Sequence, residues 1–406
     1  MYQTLAVLAA LVFLYGVLSR PLDRSPFGGA ILFTAAGLAL GVHGLGVLHF
    51  DIGAEGLSLL AELALAMVLF TAAANVDLRE LSRSASLPRR LLLAGLPLTI
   101  VLGFACAYPL VGGLSLVELA ILAVVLAPTD AALGKAVVTD EAVPSRIRTG
   151  LNMESGLNDG ICVPLFLAAL AAATESVGEQ GFAKLAVRLV GEQIGIGALV
   201  GIGVSLFGAL LIKTFALRGW IVESWRQLPV PALVLITFSV AQGVGGSGFI
   251  ACFCAGLLFN WIAKAQKHAY IVAAEGTGEM LALLTWTVFG AVVVGRLVTD
   301  GVDWRVVLYA VLSLTLVRML PVWIALRPLA MPLNEVLFVG WFGPRGLASI
   351  VFAVMAFESG IPGGRVIAET AACTILLSVL AHGVSAGPLA QALAARVASL
   401  KRAAAG

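Results

Sequence analysis

Charge is what this sequence has least of. Only 12% of its 406 residues are Asp, Glu, Lys or Arg, against 60% hydrophobic residues. Mean hydropathy is +1.03. A soluble domain carries roughly a quarter charged residues, so this composition excludes one. The net charge of +2 lacks the basic excess of a nucleic-acid partner, and none is expected. Cysteine is equally uninformative: Cys106, Cys162, Cys252, Cys254 and Cys373 all lie in apolar segments, without disulfide or zinc spacing. His43, His49, His268 and His382 are scattered without ligand spacing, so no cofactor or catalytic metal is expected. The first apolar run, "TLAVLAALVFLYGVLS", lacks the basic start of a cleaved signal and is followed by Arg20 and Arg24. It predicts an uncleaved first span with the N-terminus outside.

What is abundant is apolar sequence in windows near twenty residues, the mark of an all-α polytopic membrane protein in a lipid bilayer. The windows predict about thirteen spans, at 2–19, 27–46, 56–76, 88–107, 115–138, 148–174, 183–214, 228–243, 247–262, 275–298, 304–326, 333–357 and 364–390. Alternate connections carry the cations. The first three hold Arg20 and Arg24, then Arg79, Arg83, Arg89 and Arg90, then Arg146 and Arg148. Lys213, Arg218 and Arg226 follow, then Lys264 and Lys267, Arg327, and a tail (391–406) with Arg396, Lys401 and Arg402. The intervening connections, such as "HGLGVLHFDIGAE" and "ESGIPGG", have none. The positive-inside rule then places the N-terminus outside and the C-terminus in the cytoplasm of a cell (inner) membrane protein. An odd span count suggests two inverted six-helix repeats around a linking seventh helix. Within that helix, "GIGALVGIG" reads as close packing through small residues rather than a dinucleotide loop.

Acids inside such a chain stand out, because one at the bilayer centre costs roughly 2.5–3.5 kcal/mol on insertion scales. In "VELAILAVVLAPTDAALGKAVV", Pro128 removes a backbone donor and opens the helix near Ala127–Asp130. Opened backbone at this depth must line a cavity. Asp130 and the Thr129 hydroxyl and carbonyl then either bind a cation, or Asp130 caps a half-helix starting at Ala131; the two roles are compatible. In "NMESGLNDG", Ser155 and Asp159 share one helix face, and Glu154 and Asn158 share the next. The first face offers oxygens to an ion; Glu154 needs a cationic companion. "GPRG" at 343–346 supplies Arg345 at a second break, the inverted-repeat counterpart of the first. Arg345 is placed to neutralise Glu154 or the carbonyl ends of the broken helices. Arg318 is an alternative partner for Glu154, or an arginine snorkelling to the interface. Glu118, Glu175 and Glu369 lie near span ends and read as interfacial.

"APTDAAL", "ESGLNDG" and "GPRG", in this order, resemble the NhaP-like sodium/proton antiporters of the monovalent cation:proton antiporter 1 family. The resemblance spans nearly the whole chain. It implies a homodimer, with a dimer domain (1–76 and 183–298, the latter beginning with the linker helix) and a core domain (88–174 and 304–390). It further implies that Asp159 carries either the proton or the cation. Na+ would sit at Asp159, Ser155, Thr129 and Asp130, with Glu154, Asn158 and Arg345 as a stabilising network. The Asn158–Asp159 pair resembles electroneutral members. One departure is "LFTAAANVDL", where Ala72, Ala73 and Ala74 stand where relatives usually carry an acid.

The expected activity is therefore 1:1 exchange of Na+ (or Li+) for H+ by alternating access, not an enzymatic reaction. Exchange of K+ for H+ is the alternative. A remoter one is an intramembrane serine protease, from "GGSG" at 245–248 with Ser247 as nucleophile and His268 or His382 as base. A turn before the next span explains those glycines as well.

Overall fold

The computed structural model describes residues 2–23, 28–49, 54–76, 86–130, 143–174, 179–263 and 267–405, with isolated positions 133, 137 and 140. The second half of the expected fifth span, with Lys135 and a half-helix from Ala131, lies outside the described residues. So do Arg24, Arg79, Arg83, Glu175 and Lys264. Among the described residues the chain is helical, with no strand.

Helices α1 (Tyr2–Val17), α2 (Gly29–Leu40) and α3 (Ala54–Asn75) come first. Then come α4 (Ser86–Leu110), α5 (Leu116–Val125) and α6 (Ser145–Thr174). The linker α7 (Glu179–Leu217) precedes α8 (Pro229–Gly243) and α9 (Gly248–Ile262). Helix α10 (Lys267–Val288) runs on through a π-helical stretch, Phe289–Val294, to Asp300. The remainder are α11a (Trp304–Leu314), α11b (Leu316–Leu326), α12a (Leu333–Trp341), α12b (Leu347–Glu358) and α13 (Gly364–Ala405). Seven helical stretches among the described residues are long and apolar enough to cross a membrane, and five shorter ones are apolar. Exposed apolar side chains such as Phe13, Leu199 and Phe207 suit a lipid-facing surface.

The helices associate in two sets. In one, α3 packs against α9 and α10, α7 against α8 and α9, and α2 against α10. In the other, α5 packs against α4 and α6, α11a against α13, α11b against α12a, and α12b against α13. Contacts of α3 with α6 and α12b, and of α6 with α7 and α9, join the sets. The glycine spacing in α7 matters here as expected. A Cβ on Gly201 would run into the Ala251 carbonyl of α9, and one on Gly197 would come within 2.7 Å of the Ser247 carbonyl. Gly203, one face away, meets nothing within 4 Å.

Three expectations need correction. The span expected as continuous over 304–326 is interrupted at Thr315, which leaves helical geometry while its hydroxyl donates to the Val311 carbonyl at 2.7 Å. The region 391–405, expected as a separate tail, continues α13, because "QALAARVASLKRAAA" is rich in strong helix formers. Its Leu393 is buried in a cluster with Leu87, Ile147 and Val322. Finally, the contrast in loop charge is weaker at the helix ends. Arg296, Arg305 and Arg365 sit exposed beside the uncharged connections, and Arg365 pairs with Glu369 at 2.7 Å.

Overpacking a tight helix contact costs about 1–3 kcal/mol. Gly201→Leu should therefore lower the thermal unfolding midpoint in detergent, whereas Gly203→Leu should leave it nearly unchanged.

Candidate functional site

The site is built where the two interrupted segments cross. A capping box starts α5: Ser115 Oγ accepts from the Glu118 N–H and Glu118 Oε2 from the Ser115 N–H, at 3.3 and 2.8 Å. Glu118 is buried rather than interfacial, and its Oε1 also accepts from the Gly363 N–H at 2.6 Å. That bond ties the start of α5 to the turn before α13. The helix ends at Val125, and residues 127–130 run extended past residues 342–346, as the prolines in both stretches predict.

Each break satisfies the other. The Arg345 guanidinium donates from Nη1 to the carbonyls of Ala127 (2.8 Å) and Pro128 (3.2 Å). Ser349 Oγ donates to the Val125 carbonyl at 2.7 Å. In return the Asp130 N–H donates to the Pro344 carbonyl at 2.8 Å, and Asp130 Oδ2 accepts from the Leu347 N–H at 3.1 Å. A cation thus stands at the carbonyl end of α5 and an anion at the amide end of α12b, the arrangement helix dipoles favour. Asp130 thus caps α12b, a helix more than two hundred residues away in sequence; the half-helix from Ala131 that it was expected to cap lies outside the described residues. Gly346 leaves the room: a Cβ there would collide with the Asp130 carboxylate.

Helix α6 crosses this junction, and one residue from each of its two polar faces, Ser155 and Asn158, reaches Thr129. Ser155 Oγ donates to the Thr129 carbonyl and Asn158 Nδ2 to Thr129 Oγ1, both at 2.7 Å. Glu154 accepts two parallel bonds from Arg318, at 2.6 and 2.8 Å, with both side chains only 2% exposed. Arg318 is thus the partner of Glu154 and does not snorkel. Arg345 serves the carbonyl ends instead. Gly343 makes this possible, since a Cβ there would meet Arg318 Nε.

Among the described carboxylates of the crossing, Asp159 is the one with a buried unpartnered oxygen, its Oδ1, and Asn158 Oδ1 beside it is unpartnered as well. Asp159 lines a cavity of about 330 Å³ with Asp130, Ser155, Asn152, Thr71 and Asn75. Carboxylate, hydroxyl and carbonyl oxygens are the donors a hard monovalent cation takes, and a carboxylate can also take a proton. Among the described residues no group of three or more His, Cys, Asp or Glu has metal-holding geometry.

Several contributors were not singled out from sequence. Ser378 Oγ accepts from the Arg345 N–H at 2.7 Å and lies 3.2 Å from His382 Nδ1. His382, buried as expected, stacks on Trp341, and its Nε2 is 2.8 Å from the Trp341 carbonyl. Their spacing of four on one helix face was the available signal. Ser247 caps α9, its Oγ accepting from the Ile250 N–H, and no hydrogen bond joins it to a histidine among the described residues.

Removing one partner of a buried ion pair costs about 3–5 kcal/mol, whereas replacing both with apolar groups is often neutral. Glu154→Ala should therefore lower stability in detergent sharply, and the double substitution Glu154→Leu/Arg318→Met should recover most of the loss.

The sodium/hydrogen exchanger, transmembrane family model matches residues 7–392. The chain is 26% identical over 390 residues to a K(+)/H(+) antiporter NhaP2 of Shewanella baltica, covering 93% of this chain and 65% of that protein. It is 25% identical over 357 residues to a Na(+)/H(+) antiporter of Schizosaccharomyces pombe, covering 81% and 74%. The chain thus spans less than two thirds of the length of several curated relatives, the Shewanella protein among them. Its fold is that of the sodium proton antiporter MjNhaP1 of Methanocaldococcus jannaschii, with TM-score 0.73 at 18% identity over 94% of this chain and 98% of that one. With the match running over nearly all of its length, the chain belongs to the sodium/hydrogen exchanger family.

Proposed function

We propose that the protein exchanges a monovalent cation for a proton across the membrane, with Asp159 holding one or the other. The observation that carries this reading is the partnerless Asp159 Oδ1 in a cavity at the crossing of two broken helices. Thr129, Ser155 and Asp130 supply the neighbouring oxygens.

The charges at the crossing support a stoichiometry. Among the described residues at the crossing, Arg318 and Arg345 are opposed by Glu154, Asp130 and Asp159, which leaves one negative charge in excess. Glu154 is committed to Arg318 and Asp130 to the end of α12b, so Asp159 is the group left to change. One proton or one monovalent cation restores neutrality, and exchange is then 1:1 and electroneutral. Na+ (or Li+) is the substrate proposed. K+ is the second reading, favoured by the naming of the Shewanella relative as a K(+)/H(+) antiporter.

Alternating access follows if the set containing α4–α6 and α11a–α13 moves as a core domain against the set containing α2, α3 and α7–α10, the dimer domain of a homodimer. With the N-terminus outside and the C-terminus in the cytoplasm of an inner membrane, the cavity would open to the cytoplasm.

In proteoliposomes, Asp159→Asn should abolish cation-driven pH change; retention of full exchange would sink the assignment. An imposed voltage should leave the wild-type rate unchanged, and parallel runs with Na+, Li+ and K+ choose the cation. Protons compete for the carboxylate that binds the cation. The apparent KM for the cation should therefore rise as pH falls, by up to about tenfold per unit once the site is mostly protonated.

A further inference from the structure

The cavity has a polar rim as well as a polar floor. Asp130, Ser155 and Asp159 lie at the crossing, while Asn75 and Asn152 line the same cavity and are exposed. Asn75 is the last residue of α3, and its Nδ2 donates to Glu275 Oε1 of α10 at 2.6 Å, across 200 residues of sequence. An N–H to carboxylate bond of this length is charge-assisted, stronger than a bond between neutral groups.

This contact decides which way the amide is turned. An ionised carboxylate only accepts hydrogen bonds, so the NH2 group of Asn75 must face Glu275. The carbonyl oxygen is then the end left over for the cavity that Asn75 lines. That oxygen is what a cation needs, whereas an NH2 group in its place would repel one. Without Glu275 the amide is free to flip between the two. Glu275 is itself exposed. An exposed carboxylate beside a cleft raises the local cation concentration, an effect that salt screens.

We propose that Asn75 is a transient cation ligand at the mouth of the transport cavity, and that Glu275 is a positioning residue that orients its amide and concentrates cations there. The proposal rests on the antiporter reading above. It adds a first station on the path, where an ion exchanges part of its hydration shell for a neutral oxygen before it reaches Asp159. A rim of this kind acts on entry and leaves the protonation step at Asp159 untouched, so it governs cation affinity and selectivity from one side of the membrane only.

The test is exchange by the full chain in proteoliposomes, with Na+, Li+ or K+ supplied from each side in turn, for wild type, Asn75→Ala and Glu275→Gln. Asn75→Ala should raise the apparent KM roughly fivefold from the side onto which the cavity opens, with the maximal rate within about twofold and the opposite side unaffected. Glu275→Gln should raise it about two- to threefold at low ionic strength, and an impermeant salt should erase the difference. A merely structural role would move both sides alike and would not respond to salt. Unchanged KM in both variants, equal rises from both sides, or a fall in maximal rate alone would overturn the proposal. If Asn75→Ala proves unstable in thermal unfolding, Glu275→Gln carries the test through its salt dependence. A wild-type protein that drives no exchange would sink the antiporter reading itself, whereas wild-type exchange with unmoved KM values would sink only this inference.

Discussion

Opened backbone in hydrocarbon must find partners within the protein, and the rest of this structure depends on how two breaks supply them to each other. A buried polar group left unsatisfied costs about 1–3 kcal/mol. The carbonyls of Val125, Ala127 and Pro128 and the amides of Asp130 and Leu347 would together approach the whole stability of a domain. Arg345, Ser349, Asp130 and Pro344 satisfy them reciprocally. Neither break is tenable alone, which is why both occur and why they cross. Gly343 and Gly346 belong to the same constraint, since side chains there would displace Arg318 or Asp130.

Once the crossing is fixed, its charges sort themselves by how completely each is used. Glu154 holds two parallel guanidinium bonds, so both of its oxygens are already engaged. Asp130 is bound to an amide at a helix end, where negative charge is already favoured. Asp159 lines a cavity instead, with one oxygen that no donor among the described residues reaches. In the exchange proposed above, the group that changes partner is the one that no described donor holds. The surrounding network matters by removing every other carboxylate from competition.

Much of this was legible in the sequence, because it follows from local chemistry. Pro128 and Pro344 both stand at breaks, although Pro109, Pro164, Pro321 and Pro388 lie inside helices. Spacing alone separates Ser155 and Asp159 from Glu154 and Asn158. What spacing cannot supply is which neighbour stands opposite a given face. Arg318 and Arg345 were both plausible for Glu154, since a long guanidinium side chain spans several alternatives, and only the path of α11b decides. Asp130 reads as a cap for the next helix in sequence, which lies outside the described residues; its bond to the Leu347 amide across the crossing is invisible to local reasoning. Glu118 looked interfacial because it stands near a helix start, and its bond to the Gly363 amide is invisible without the fold. The break at Thr315 carried no proline or glycine at that position to announce it. Asn75 and Glu275 sit at exposed helix positions where polar residues are unremarked, and only their meeting gives them meaning.

A site that is to face first one side and then the other must travel as a unit or be rebuilt on each passage. The hydrogen bonds described at the crossing join helices of one set: α5 and α12b to each other, α6 to the first break, α11b to α6, and α13 to the second break. The Asn75–Glu275 bond joins two helices of the other set. Between the sets, α3 presents Ala72 to α6 at Gly156, where even an added Cβ would find only ordinary van der Waals room at 3.6 Å. Small apolar surfaces can slide with little change in contact energy, whereas hydrogen bonds with fixed geometry resist it. Under the alternating-access proposal the polar network would keep Asp159 and its oxygens within one body, with Ala72 offering a smooth contact at Gly156 and Phe253 of α9 a closer one at Gly160. On this argument Ala72–Ala74, where relatives usually carry an acid, also keep a charged contact from bridging the two sets.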